Sequence, residues 1–157
     1  MAREIQRTTI GGHDYAMTLL PATRSYKLFH RLFKMFGPSF GQLMDAVAGV
    51  KSVVDLDLSG DAVNKVIQSV TSNVSEHDLE HVISILKDET TVAISGSGKD
   101  IPLKGVFEAH FQGDVAGMFR WLYWGLGVQY RSFFEGLGSI TSRNVVVQSS
   151  GEHKAKA

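Results

Sequence analysis

Residues 117–134 read GMFRWLYWGLGVQYRSFF and hold seven of the chain's fifteen aromatic side chains, with two arginines and three glycines. Treated as a helix over 115–128, the segment is apolar around almost its whole circumference. Met118, Phe119, Leu122 and Leu126 lie on one side, Trp121, Tyr123 and Trp124 spread over the others, and Arg120 is the single charge. A helix that is apolar on every side has to be covered on every side. Two readings remain open. The helix is central to the domain, with the polar tips of Trp and Tyr reaching partners, or a second protein closes part of its surface, since aromatics and Arg are enriched at interface hot spots. The readings differ in one consequence: an interface tolerates loss of Trp121 and Trp124 with the fold intact, and a core does not. Gly125 and Gly127 are expected to break the helix, with a further short helix running to Phe134.

The segments around it carry ordinary folding signals. The opening EIQRTTIGGHDYAMTLL has two strand-like runs around Gly11-Gly12-His13-Asp14, which reads as a hairpin, and Pro21 ends the second run. From Thr23 the period becomes helical. Leu28, Phe29, Leu32, Phe33 and Phe36 share one face, and Arg24, Lys27, Arg31 and Lys34 share the opposite one. Gly37-Pro38 stops this helix, and a second is expected from Pro38 into QLMDAVAGV. Residues 53–59, VVDLDLS, alternate as a half-buried strand, followed by a helix over AVNKVIQSVTSNV capped by Ser59 or Asp61. Ser75 and Asp78 resemble a capping box for the helix EHDLEHVISILKDE. TTVAISGSGKDIPLKG then reads as a strand, a Gly/Ser turn and a short edge strand.

These elements predict an α+β, mainly α domain. A small antiparallel sheet, made from the N-terminal hairpin and a second hairpin near 90–104, packs with about five to six helices. A single globular domain is expected over 1–148, with a polar C-terminal tail at 149–157.

Charge and composition narrow the function. The chain has 16 basic and 16 acidic residues, but residues 1–34 carry +4, residues 35–91 carry −6 and the remainder +2. A zero total argues against a nucleic-acid binder. The basic and acidic blocks can attract each other or meet complementary blocks on neighbouring subunits; the basic face of the first helix also admits a membrane-surface, acidic-partner or solvated reading. With no cysteine there is neither disulfide nor thiolate metal site, as suits a reducing cytosol or a prokaryotic or viral origin. The start MAREIQRTT lacks the apolar core of a signal peptide, and the stretch Val115 to Val128 is too short to span a bilayer.

Motifs for chemistry fail on inspection. His77 to His81, HDLEH, matches H-x-x-E-H, but the buried face set by Leu79, Val82, Ile83 and Leu86 puts both histidines on the far side, facing water, with no third ligand evident. Asp55 to Asp61 imitates the start of a calcium loop, yet Val66 stands where a bidentate Glu is required. No nucleophile elbow or phosphate-cradling glycine loop is present, and SGSGKD is too short to be one. No catalytic residue, metal or cofactor is assigned, and the protein is read as not an enzyme.

FEAHFQGDVAGMFRWLYWGLGVQYRSFF, residues 107–134, resembles the signature near the C-terminal end of one group of phage tail assembly chaperones. Phe107, His110, Phe111, Gly113, Met118, Phe119, Val128, Tyr130, Phe133 and Phe134 are the matching positions. Gln129-Tyr130-Arg131 departs from the Asn-Tyr-Gly more frequent in that family. The resemblance implies a non-enzymatic chaperone that holds the tape measure protein and assists polymerisation of the tail tube protein in the cytoplasm of the infected bacterium. It also implies a frameshifted longer product, for which the polar GEHKAKA is a suitable junction. The alternative is a structural protein of the tail or baseplate that contacts neighbouring subunits, self-associates and stays in the virion. The residues expected to meet a partner are Phe119, Arg120, Trp121, Tyr123, Trp124, Tyr130, Phe133 and Phe134.

Overall fold

Gly11 and Gly12 both have positive φ, 58° and 81°, the conformation that a two-residue hairpin turn requires. They join β1 (Ile5–Ile10) to β2 (His13–Thr18) in register Ile10↔His13 to Ile5↔Thr18. The computed structural model describes residues 2–37, 68, 72, 74–94 and 96–133. Within them, β2 also pairs antiparallel with β3 (Thr90–Ala93), and β3 with β4 (Asp100–Pro102), giving a four-stranded sheet in the order β1-β2-β3-β4. The second hairpin falls where the Gly/Ser turn placed it, with Gly96 and Gly98 at positive φ.

Four α-helices accompany the sheet among the described residues, against the five to six expected for the whole chain. They are α1 (Ala22–Phe36), α2 (Glu76–Asp88), the single turn α3 (Phe107–His110) and α4, helical from 115 to 133. A 3-10 turn, Leu103–Gly105, leads into α3. Gly37, at φ 54°, stops α1 as expected, and its N–H reaches the carbonyl of Phe33 at 2.7 Å. Pro21 stands at the N-cap of α1, beyond the last residue of β2. Ser75 caps α2, its hydroxyl accepting from the Asp78 N–H at 3.2 Å and donating to Asp78 Oδ2 at 2.7 Å, so the expected capping pair meets through its side chains. The expected helix from Pro38, strand 53–59 and calcium-like loop 55–66 lie outside the described residues, as does the tail 149–157. In the expected helix 62–74, Gln68 and Ser72 are helical, and the Ser72 hydroxyl donates to the Gln68 carbonyl at 2.6 Å.

The expected glycine break in α4 does not occur. Each glycine sacrifices about 1 kcal/mol of helix propensity, whereas burying a large ring removes roughly 200 Å² from water, worth about 5 kcal/mol. Trp121, Trp124 and Tyr130 are 0%, 6% and 4% exposed, so packing outweighs propensity. Gly125 moreover has a positive use. A Cβ there would lie 2.7 Å from Met17 Cε and 3.3 Å from Leu86 Cδ1, so the missing side chain lets α4 close on both β2 and α2. On the sheet, Tyr15, Met17, Thr90 and Val92 form the buried set that meets it, with register pairs Tyr15↔Val92 and Met17↔Thr90. Thr90, the one polar member, is satisfied by donating its hydroxyl to the Leu86 carbonyl at 2.7 Å.

Gly125→Val adds volume where Met17 and Leu86 leave none. We expect a loss of about 1–3 kcal/mol, read as a lower urea midpoint with an unchanged m-value; wild-type stability would refute the close approach of α4 to β2.

Candidate functional site

The signature segment begins with a ring cluster. Phe107 meets Phe111 and Trp121 edge-on, at centroid distances of 5.1 and 5.6 Å, and Phe111 lies 5.9 Å from Trp121. Gly113, at φ 78°, turns the chain toward α4. Asp114 then caps that helix, its Oδ1 accepting the Gly117 N–H at 2.9 Å. The Asp114 carboxyl occupies the space where a Cβ of residue 117 would stand. Further along, Gln129 bridges the connection between β2 and α1: its Oε1 accepts from the Leu20 N–H at 3.0 Å, and its Nε2 donates to the Thr18 carbonyl at 3.2 Å. Gln129 therefore has a structural use at the position where the sequence departs from the family pattern. The Tyr130 hydroxyl donates to the Ser25 carbonyl at 2.9 Å, which ties α4 to the start of α1.

The residues singled out as partner contacts thus divide. Trp121, Trp124 and Tyr130 are core residues, and in this conformation Trp121 offers no surface to a partner. Phe119, Arg120 and Tyr123 are half-buried, Phe133 is 47% exposed, and Phe134 lies outside the described residues. Arg120 Nε and Trp121 Nε1 are buried and have no acceptor among the described residues. Burial pushes the hydroxyls of Tyr123 and Tyr130 up to about 12, so both stay protonated.

At 100° per residue, Phe119, Tyr123, Tyr130 and Phe133 fall within about 80° of one another on α4. This face meets α1, where Phe29 lies 5.7 Å from Tyr130 and 5.1 Å from Phe133. Phe29 belongs to a stripe with Tyr26 and Phe33, which are 67% and 55% exposed. Sequence periodicity placed Phe33 on the apolar face of α1, and the structure puts it on the solvent flank of that face. Leu28, Leu32 and Phe36 hold the core instead. Tyr26 and Phe33 are accessible aromatics outside residues 117–134, and the sequence signal for them is an apolar stripe wider than one neighbouring helix can cover.

The charge blocks meet within the chain. Arg31 pairs with Asp78 at 3.0 Å, and Arg24 with Glu89 at 3.1 Å and Asp88 at 3.7 Å. Arg3 also reaches Glu89, at 2.8 Å. Hydrogen bonds from Ser75 and Arg31 hold the Asp78 carboxyl below the usual carboxylate range. His81, expected to face water, is half-buried and lines the space between α1 and α2, while His77 is exposed. Desolvation, followed by the nearby Arg31 charge, lowers the His81 pKa. No three His, Cys, Asp or Glu side chains are grouped for a metal among the described residues, and no described helix is long and apolar enough to cross a membrane.

The remaining ionisable cluster joins the hairpin to the signature segment. The Tyr15 hydroxyl and His110 Nε2 are 2.6 Å apart, and the His110 ring lies 4.7 Å from that of His13. Burial and then the Asp114 charge push Tyr15 up to about 12. Desolvation and then His13 lower the His110 pKa, against the opposing pull of Asp114.

The model of one family, described as phage tail assembly chaperone protein, TAC, matches residues 11–139. The chain belongs to that family. Nothing among curated proteins or solved structures matches it. The role of the chaperone in phage tail assembly follows from the family, and the matched span takes in the hairpin turn, helices α1 and α2, the ring cluster and α4.

Two measurements probe this arrangement. Trp121→Ala should cost about 3–5 kcal/mol of stability, so the substitution separates core from interface: a variant as stable as wild type would return Trp121 to the surface. His110 has a depressed folded-state pKa, so its contribution is complete above about 6.5 and is lost as pH falls through the folded value. Denaturation midpoints should therefore decline from neutral pH toward pH 5, and His110→Gln should flatten that decline. His81 contributes in the same direction, so some slope remains in the variant; an unchanged slope would exclude His110 as a contributor.

Proposed function

We propose that this chaperone is non-enzymatic and holds the tape measure protein while tail tube subunits assemble around it in the infected cell. The observation that carries the reading is the ring-lined surface formed by Tyr26 and Phe33 of α1 with Phe133 of α4. Exposed aromatics of this size, arranged at i and i+7 on one helix and joined through Phe29 to the end of another, suit the apolar stripe of an amphipathic client helix. Phe119, Tyr123 and the half-buried Arg120 extend the same side of α4 as further contacts. The support is chemical complementarity together with family membership.

Co-expression with a tagged tape measure segment tests the proposal. The wild-type protein should co-purify with the segment, and Tyr26→Ser with Phe33→Ser should weaken retention about tenfold or more, the effect of losing one or two hot-spot side chains. Circular dichroism should stay at wild type, because both side chains are exposed. Mass spectrometry of purified particles distinguishes the alternative: stoichiometric copies in the virion would make the protein a tail or baseplate component.

A further inference from the structure

α1 carries a second exposed stripe on the flank away from its aromatics. Arg24, Lys27, Arg31 and Lys34 line one wall of an open groove of about 860 Å³ between α1 and α2. Its apolar lining comes from the half-buried Met35 of α1 and Ile85 of α2, above the core residue Leu28. Two of the four cations are engaged within the chain, Arg24 by Asp88 and Glu89 and Arg31 by Asp78. Lys27 and Lys34 have no ion pair among the described residues. They stand seven positions apart, about 10 Å along the axis, which is two turns of any helix laid alongside.

We propose that this groove binds an amphipathic client helix whose apolar stripe is flanked by carboxylates seven residues apart. The inference rests on the reading of the protein as a client-binding chaperone and adds the charge and register of what it accepts. The apolar lining takes up the stripe of the client, and the two unengaged ammonium groups meet its carboxylates. A nucleic acid fits less well, because phosphates gain nothing from the apolar lining of Met35 and Ile85. Arg24 and Arg31, held by their own acids, shape the wall and leave Lys27 and Lys34 to select the partner. The arrangement gives register more than affinity, because exposed ion pairs contribute little each.

The test uses a synthetic helical peptide of about three heptads, with Leu on one face and Glu seven residues apart beside it. A second peptide has the same composition with the Glu residues moved to the opposite face. The full-length protein should bind the first about tenfold more tightly at physiological salt, and Lys27→Glu with Lys34→Glu should remove that preference while circular dichroism stays unchanged. Equal binding of the two peptides, an unaltered preference in the double variant, or preferential binding of a single-stranded RNA at the groove would overturn the proposal. The tagged tape measure segment keeps the two readings apart. If the double variant shows the peptide effect yet wild type fails to retain the segment, the groove specificity stands and the assignment of the client falls. If the segment binds both proteins equally and the peptides do not discriminate, the groove falls and the client stands.

Discussion

Burial of α4 against β2 is the contact on which the other elements depend. Its apolar circumference leaves it no stable exposed position, so the molecule is arranged to cover it. The ring cluster of Phe107 and Phe111 covers Trp121, the sheet covers Trp124 through Tyr15, and Met17 and Leu86 close on Gly125. Gln129 and Tyr130 then fasten the far end to backbone groups of the hairpin exit and α1. A helix held along its length in this way can include three glycines, Gly117, Gly125 and Gly127, without breaking, because each loses far less than a buried ring gains.

The same demand shapes α1. One flank, with Leu28, Leu32 and Phe36, is given to the core. A second presents Tyr26 and Phe33, and a third presents the basic stripe. Among the described residues, that third flank is paired in part, by Asp78, Asp88 and Glu89 of and beside α2. This tail assembly chaperone therefore keeps its largest aromatic payload inside and leaves a smaller, divided surface exposed. This division explains the signature segment: several of the side chains that carry the family likeness hold the core together, as Phe107, Phe111 and Tyr130 do.

Several elements were legible because local chemistry decides them. Gly11-Gly12 admits a tight turn at positive φ, Gly37 ends α1, and Ser75 caps α2; each depends on residues within a few positions of one another. The sheet class and the second hairpin were legible for the same reason. Phe33 and the continuity of α4 were not. Periodicity reports which residues share a helical face, and it is silent on how wide a strip of that face a neighbour covers. Glycine propensity likewise reports the isolated helix and not Met17 waiting across the gap. His81 was read as solvated from its angle on α2, yet α1 passes beside it.

What the sequence determined alone was the presence of an aromatic helix that had to be covered, the family likeness on residues 107–134, and opposed charge blocks with zero sum. Tertiary structure decided what does the covering and which charges remain over. The physical reason is that burial and ion pairing are relations between distant segments: Trp121 is enclosed by residues of α3, and Arg31 is paired across 47 positions of sequence. Composition can require such partners, but only the packed chain chooses them, and it leaves Tyr26 and Phe33 largely exposed and Lys27 and Lys34 without an ion pair among the described residues.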